Sequence, residues 1–533
     1  MNGNRDMDGF FGLKLPSYGH FPQWQEGRSV AVNSGRNALE YILLFCSTLM
    51  KVRDILDVNF TMKLLSIICM LVFSLTTHLF AQEARLSLPS SIGDHMVIRQ
   101  NSKFLLYGWC GTNVHIAITP SWNPKAIHAQ ADEQGRWRTE IETPPAGGPH
   151  SILIVSEHGD KIEIKDILSG EVWLCSGQSN MTWSVQRATP AIAKDFPKAP
   201  VQGIRLFQVD QRASNNPQDE VSGSWKVCDP ESLRRFSMVG YYFGQRLHDE
   251  TGIPVGLVHA SWGGTPIEAW MPENLLKQQD QTVQSRRSRT WANKEGLCYN
   301  GMIDPLKNVN FSGIIWYQGE ANVDRSAPVY AANLTAMVEA WRDLFRDKKL
   351  PFYFVQIAPF VWPQPLSAAV LREQQEKAMT LPHTGMVVIS DTITDTKDIH
   401  PPQKKEVGRR LAGLALKELY GKSVLNPYSP CFEHVQFQEN MAIVTFKNTE
   451  KLVLRDEASK KPCVGFEIAG SDKKFVPADA TLKGRCVIVT SPFVQKPAYV
   501  RFSFSNDCVS NLFGENGLPA TPFRTDDFSI PLN

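Results

Sequence analysis

Between residues 166 and 425 the chain repeats one pattern. A short apolar, strand-forming run is followed by a small or polar turn and often by a stretch with helical periodicity. The strand candidates are 172–175, 204–209, 255–260, 313–317, 352–357 and 386–390. Helical patterns fall at about 236–250, 328–346, 366–380 and 403–420; in the last, Val407, Leu411, Leu414 and Ala415 recur at helical spacing. Apolar strands alternating with helices predict an α/β domain built on a parallel sheet. No other feature of the chain restricts its fold as strongly.

Two stretches of different rhythm flank this block. Residues 82–165 alternate apolar and polar, with short strands expected at 104–107, 114–118 and 151–155. Turns such as Glu133-Gln134-Gly135 separate them, the pattern of a small β-sandwich. Beyond residue 425 strands return at 442–446, 486–490 and 498–502, so 426–533 reads as a C-terminal β domain. The 533 residues suffice for several domains, each with its own core. A net charge of +2, with both signs interspersed, argues against a nucleic-acid groove or a polybasic membrane patch. Oligomeric state leaves no trace in the sequence.

Met62-Lys63 opens MKLLSIICMLVFSLTTHLFAQEA, a basic start, an apolar run and then Ala81-Gln82. This is the layout of a secretory signal peptide over 62–81, although Leu79 is large for the −3 position. The apolar run is short and broken by Ser and Thr, so no stable membrane span is expected after processing. Residues 1–61 are then an upstream extension, read as a misassigned start; a real extension would instead turn the apolar segment into an anchor. The reading places the protein in the periplasm or outside the cell. Ten Cys are widely and irregularly spaced without a CxxC pair, so no zinc site is expected. Oxidation of some is compatible with export, with no pairing legible. Cys175, inside an apolar strand, reads as a small buried hydrophobe.

The polar residues gather just past the strands. Gly177-Gln178-Ser179-Asn180 follows the first, Ser261-Trp262-Gly263-Gly264-Thr265 the third, and Gln318-Gly319-Glu320 the fourth. Asp391 and then Asp398-Ile399-His400 follow the last. In an open α/β sheet the carboxyl ends of the strands share one edge, and sites form there. A serine hydroxyl needs a base to take its proton, and His400 is the natural one. Asp398 is the nearest candidate to fix the imidazole. The oxyanion of acyl transfer needs preorganised donors, which the Gly263 or Gly264 backbone and the Gln318 amide can offer. Each residue also has a plainer reading: Ser179 as a helix N-cap, Asp398 as a cap of the next helix, Gly263-Gly264 as a tight turn. Their convergence on one edge favours catalysis. The turn is not the GxSxG elbow, because Met181 stands two residues after Ser179.

GQSNM (177–181), SWGGTPIEAW (261–270), LCYNGMIDPL (297–306), WYQGEAN (316–322) and DIHPPQKKEVGRRLA (398–412) together resemble the sialate O-acetylesterase family of SGNH-type hydrolases. The resemblance runs from about residue 85 to the C-terminus. It implies a flavodoxin-like, three-layer α/β/α catalytic domain over 166–425 and metal-independent removal of O-acetyl groups from carbohydrates, with no cofactor. It implies Ser179 as nucleophile, His400 as base, and a Gly of SWGGT with Gln318 in the oxyanion hole. One departure stands out: the acid of D-x-x-H is replaced by Lys397, leaving Asp398, Glu320 or a backbone carbonyl to orient the imidazole.

The leading reading is a sialate O-acetylesterase; an acetylxylan or other plant-glycan esterase is the enzymatic alternative, and a noncatalytic glycan-binding protein the alternative of another class. Sialate carries a carboxylate, for which Arg187 and Arg205 are the arginines near the site in sequence. Asn59, Asn180, Asn310 and Asn333 lie in N-x-S/T sequons, and Asn180 is expected to be bare because a glycan there would crowd Ser179.

Overall fold

A computed structural model of the chain describes residues 85–187, 196–276, 291–455 and 462–531. The expected signal segment, the upstream extension and Asn59 lie outside the described residues.

Among the described residues seven strands line up as the central sheet: β1 (Lys161–Gly177), β2 (Val201–Gln208), β3 (Trp225–Cys228), β4 (Val255–Ser261), β5 (Gly313–Tyr317), β6 (Phe352–Val355) and β7 (Thr384–Val387). Their order is β7-β6-β5-β1-β4-β2-β3. All neighbours are parallel except β2 and β3. Five of the strands, in the order β4-β1-β5-β6-β7, form the flavodoxin-like arrangement, and β2 with antiparallel β3 extends one edge. The expectation of a three-layer α/β/α domain is met.

Strand side chains alternate between faces, so the apolar runs feed two cores. On one face Trp173, Cys175, Leu257, Ile315 and Tyr317 pack with Val239, Phe243, Val407, Leu411 and Leu414. On the other, Val172, Leu174, Val258, Ile314 and Trp316 pack with Leu334, Met337, Trp341 and Leu371. The helices that follow or cover these strands include α1 (Ser179–Thr182), α2 (Met238–Thr251), α3 (Tyr330–Leu344), α4 (Ser367–Lys377) and α5 (Lys404–Glu418). Helices α2 to α5 coincide with the four helical patterns of the sequence to within three residues at each end. Burial leaves Cys175 as an apolar filler, with its thiol pushed far above the usual range.

The first half of β1 belongs to a different environment. Over residues 161–169 it pairs antiparallel with Gly147–Ser156, and over 168–170 parallel with Val97–Arg99. Lys103–Trp109 pairs with Arg136–Glu142 in a second sheet, and both sheets contribute to a core that includes Leu106, Trp137, Ile116 and Ile154. The position expected to divide the N-terminal β domain from the α/β block, 165/166, therefore falls inside one continuous 17-residue strand. C-terminal to α5, a sheet in the order 431–438, 441–447, 486–490, 479–483 packs with another built on Phe466–Ala469 and Tyr499–Phe502 around their own core. Among the described residues no helix is long and apolar enough to cross a membrane.

Candidate active site

Strand β1 ends at Gly177, which pairs with Tyr317 on one side and Ser261 on the other. Gly177 has φ +136°, and a Cβ there would lie 2.1 Å from the Tyr317 carbonyl oxygen. Only glycine lets the strand end in so close an approach. The chain then turns into α1, whose N-cap is Gln178 and not Ser179. The Ser179 hydroxyl instead lies 3.0 Å from His400 Nε2. Gln178 Oε1 accepts from Gln318 Nε2 and from the N–H groups of Gly319 and Ala321, which ties the turn to the end of β5. Behind the turn, Thr182 Oγ1 lies 2.8 Å from Ser261 Oγ, which lies 2.5 Å from His259 Nε2; His259 Nδ1 lies 2.7 Å from Gln208 Oε1. Burial pushes the His259 pKa down to about 3, so this second Ser–His pair is a neutral buttress with no access to solvent.

His400 sits between β7 and α5, its ring stacked on Trp183 with centroids 4.6 Å apart and planes at 30°. Burial lowers its pKa from the ordinary value, and the charges of Lys404 and Arg187 outweigh the opposing pull of Asp398. The imidazole is therefore neutral near pH 7, the form a general base requires. Asp398 Oδ1 accepts the His400 backbone N–H at 2.8 Å and lies 3.8 Å from Nδ1. That is a carboxylate within ion-pair range, 58% exposed and outside hydrogen-bond distance of the ring. The other proposed acid, Glu320, is buried and accepts from Asn180 Nδ2 at 2.5 Å. No hydrogen bond or ion pair joins it to His400 among the described residues, so Glu320 is not the group that orients the imidazole.

On the oxyanion side, Trp262 N–H donates to the Gly177 carbonyl and draws the Gly263-Gly264 loop against the turn. A Cβ on Gly263 would meet Ser179 Cβ at 3.4 Å, whereas Gly264, at φ +78°, makes the bend. The Gly263 and Ser179 N–H groups donate to no protein acceptor among the described residues, which leaves both open to an oxyanion. Gln318 is a correction. Its side chain is fully buried, and Nε2 already faces Asn322 Oδ1 at 2.6 Å, Gln178 Oε1 at 3.1 Å and the Thr265 carbonyl at 3.3 Å. Two amide hydrogens engaged by three acceptors leave none for an oxyanion. Gln318 braces the strand ends instead.

Other sequence candidates separate in the same way. Arg205 is 2% exposed and forks onto both oxygens of Asp166, so it is not available to a substrate carboxylate. Arg187 is exposed, with its guanidinium 5.3 Å from the centre of the Trp183 ring that stacks on His400. Asp391 is engaged by Arg410 and Arg455 and is structural. Asn180 and Asn333 are fully buried, which bars a glycan from either. Among the described residues no group of three or more His, Cys, Asp or Glu is placed to hold a metal ion. Sequence reasoning passed over Trp183 and Lys404. Trp183 gave no signal, but Lys404 stands three before Val407 and seven before Leu411, in register with the buried face of α5.

The family profile described as "Carbohydrate esterase, sialic acid-specific acetylesterase" matches residues 169–417. A carbohydrate acetylesterase from Xanthomonas citri is 34% identical, with a TM-score of 0.75 over 83% of this chain and 100% of that one. The sialate O-acetylesterase of Homo sapiens is 27% identical over 361 residues, 61% of this chain and 68% of that protein. That of Mus musculus is 26% identical over 460 residues, 73% and 83% respectively. The profile spans every strand end that contributes to the site, and the bacterial relative is matched along its whole length. On these grounds the chain belongs to the sialate O-acetylesterase family of SGNH-type carbohydrate esterases.

Proposed function

We propose that the protein removes O-acetyl groups from carbohydrates through an acetyl-enzyme formed on Ser179, with O-acetylated sialic acid as its substrate. The observation that carries this reading is the 3.0 Å contact between Ser179 Oγ and His400 Nε2 at the carboxyl edge of the sheet. Nε2 takes the hydroxyl proton as Oγ adds to the acetyl carbonyl. The oxygen that becomes negative is met by the N–H groups of Gly263 and Ser179. The imidazolium then returns the proton to the departing sugar oxygen. A water, deprotonated by the same ring, attacks the acetyl-enzyme; acetate leaves and Ser179 regains its proton.

Sialic acid is favoured by the names of the mammalian relatives and by Arg187, an exposed cation whose guanidinium lies 5.3 Å from the centre of the Trp183 ring that stacks on His400. Rates on O-acetylated sialic acid and on acetylated xylooligosaccharide, measured for the wild type and for Arg187→Ala, test the assignment. A preference for the sialic acid that Arg187→Ala reduces supports it; equal or faster xylooligosaccharide cleavage refutes it. A protein that only binds glycans has no need of a neutral imidazole against a serine hydroxyl, and labelling by a serine-directed organophosphonate separates the two. Export is part of the same proposal and is supported by the segment 62–81. Mass spectrometry of the mature N-terminus checks it: cleavage near Ala81 is expected, and an intact segment contradicts it.

A further inference from the structure

The residue after the nucleophile has both ends of its amide engaged. Asn180 is fully buried, and Lys404 Nζ donates to its Oδ1. Its Nδ2 donates to Glu320 Oε1 at 2.5 Å and to the Ile399 carbonyl at 3.1 Å. Ile399 immediately precedes His400. One side chain, a single peptide from Ser179, thus holds the backbone a single peptide from the base.

The groups that hold Asn180 come from two further elements. Glu320 follows β5, and its second carboxylate oxygen has no hydrogen-bond partner among the described residues. Lys404 opens α5 and is 0% exposed, its Nζ 5.2 Å from the Tyr317 ring centre and 5.8 Å from that of Trp183. Trp183 is the ring on which His400 stacks. Burial brings the Lys404 pKa down to about 7 and raises that of Glu320, so neither charge is comfortable there without the amide between them. Asp398, exposed and 3.8 Å from the imidazole, gives the ring little direction by comparison.

We infer that Asn180, clamped between Lys404 and Glu320, is a positioning residue that sets the Ser179–His400 geometry by tying the nucleophile turn to the Ile399 carbonyl. This rests on the assignment of Ser179 and His400 above. A merely structural polar cluster would affect stability alone; a positioning clamp affects the chemical step at constant substrate binding.

The test measures kcat, KM and melting temperature with an aryl acetate. Asn180→Asp still accepts from Lys404 but cannot donate to Glu320 or to the Ile399 carbonyl. It is expected to lower kcat about a hundredfold, the scale of a displacement of about 1 Å, with KM changed less than about twofold. Adding Glu320→Gln supplies an amide donor opposite the new carboxylate but leaves the Ile399 carbonyl without its donor, so the double variant is expected to regain melting temperature while kcat stays low. Wild-type kcat in folded Asn180→Asp overturns the inference, as does full recovery of kcat in the double variant, which would place the effect at Glu320 and not at the Ile399 carbonyl. If Asn180→Asp does not fold, Lys404→Met decides, with kcat taken on the alkaline plateau where His400 is neutral in both proteins: kcat reduced there at unchanged KM supports the clamp, and unchanged kcat overturns it. Ser179→Ala is measured alongside. If it stays active, the catalytic assignment itself fails; if it is inactive while the Asn180 variants are not, only the clamp fails.

Discussion

Ser179 and His400 are 221 positions apart in the chain, and each depends on neighbours that differ from those of a buried Ser–His–Asp triad. The clearest difference is Asp398. A buried carboxylate bonded to the imidazole is worth about four orders of magnitude in kcat. An exposed one at 3.8 Å acts through screened charge and through the Asx turn it makes with the His400 N–H. Asp398→Asn keeps that turn and removes the charge, so kcat is expected to fall by no more than about tenfold; a loss of about a thousandfold would show that the carboxylate closes on the ring during turnover. The pH profile follows from the same surroundings. Burial, Lys404 and Arg187 hold the imidazole's pKa down, so the acid limb of kcat/KM is expected below the ordinary histidine value of about 6.5. A positive neighbour disfavours the protonated ring; removing it with Lys404→Met raises the pKa and moves the limb to higher pH. Movement to lower pH contradicts this account.

At the scale of elements, the site is made by how strands end. Gly177 is the tightest of these ends, and Gly177→Ala would place a methyl group against the Tyr317 carbonyl at a φ that L-residues avoid. The parallel pairing of β1 with β5 must then open, at a loss of about 4 kcal/mol or more in a denaturant titration; a variant of unchanged stability would refute that reading of the turn. The strand ends were legible in the sequence because apolar runs and helical periodicity mark each βα unit, and the edge rule then places Ser179, Gly263 and His400 together. Gln318 was misread for a definable reason. Sequence shows that an amide stands at a strand end but not that Asn322 and Gln178 already face it. Strand β3 escaped notice because Trp225–Cys228 is a short edge strand, too brief to show a period. The continuous β1 was hidden because its first half alternates, whereas its second half is buried on both faces.

Across the whole molecule, Asp391 joins the C-terminal β region to α5. It accepts a fork from Arg410, 6% exposed, and a second bond from Arg455, 46% exposed. Burial alone would raise the Asp391 carboxyl, but the two arginines outweigh it and leave its pKa below the usual value. A carboxyl depressed in the folded state contributes stability above its unfolded pKa of about 3.9, and that contribution is lost as pH falls through the lower folded value. Asp391→Ala removes the fork from the buried Arg410, which keeps only the half-exposed Glu406 and the Val388 carbonyl as partners, and is expected to destabilise by about 3 kcal/mol at pH 7. Arg455→Ala removes only the exposed partner and should remain within about 1 kcal/mol. Denaturant titrations of the two variants check the order, and a larger effect from Arg455 would reverse the account of this junction.

The whole functional reading turns on which oxygen is acylated. Peptide mapping after a serine-directed organophosphonate at neutral pH reads this directly. The expected result is a single adduct on Ser179, formed rapidly in the wild type and not in His400→Ala. An adduct on another serine, or equal labelling without His400, would contradict it.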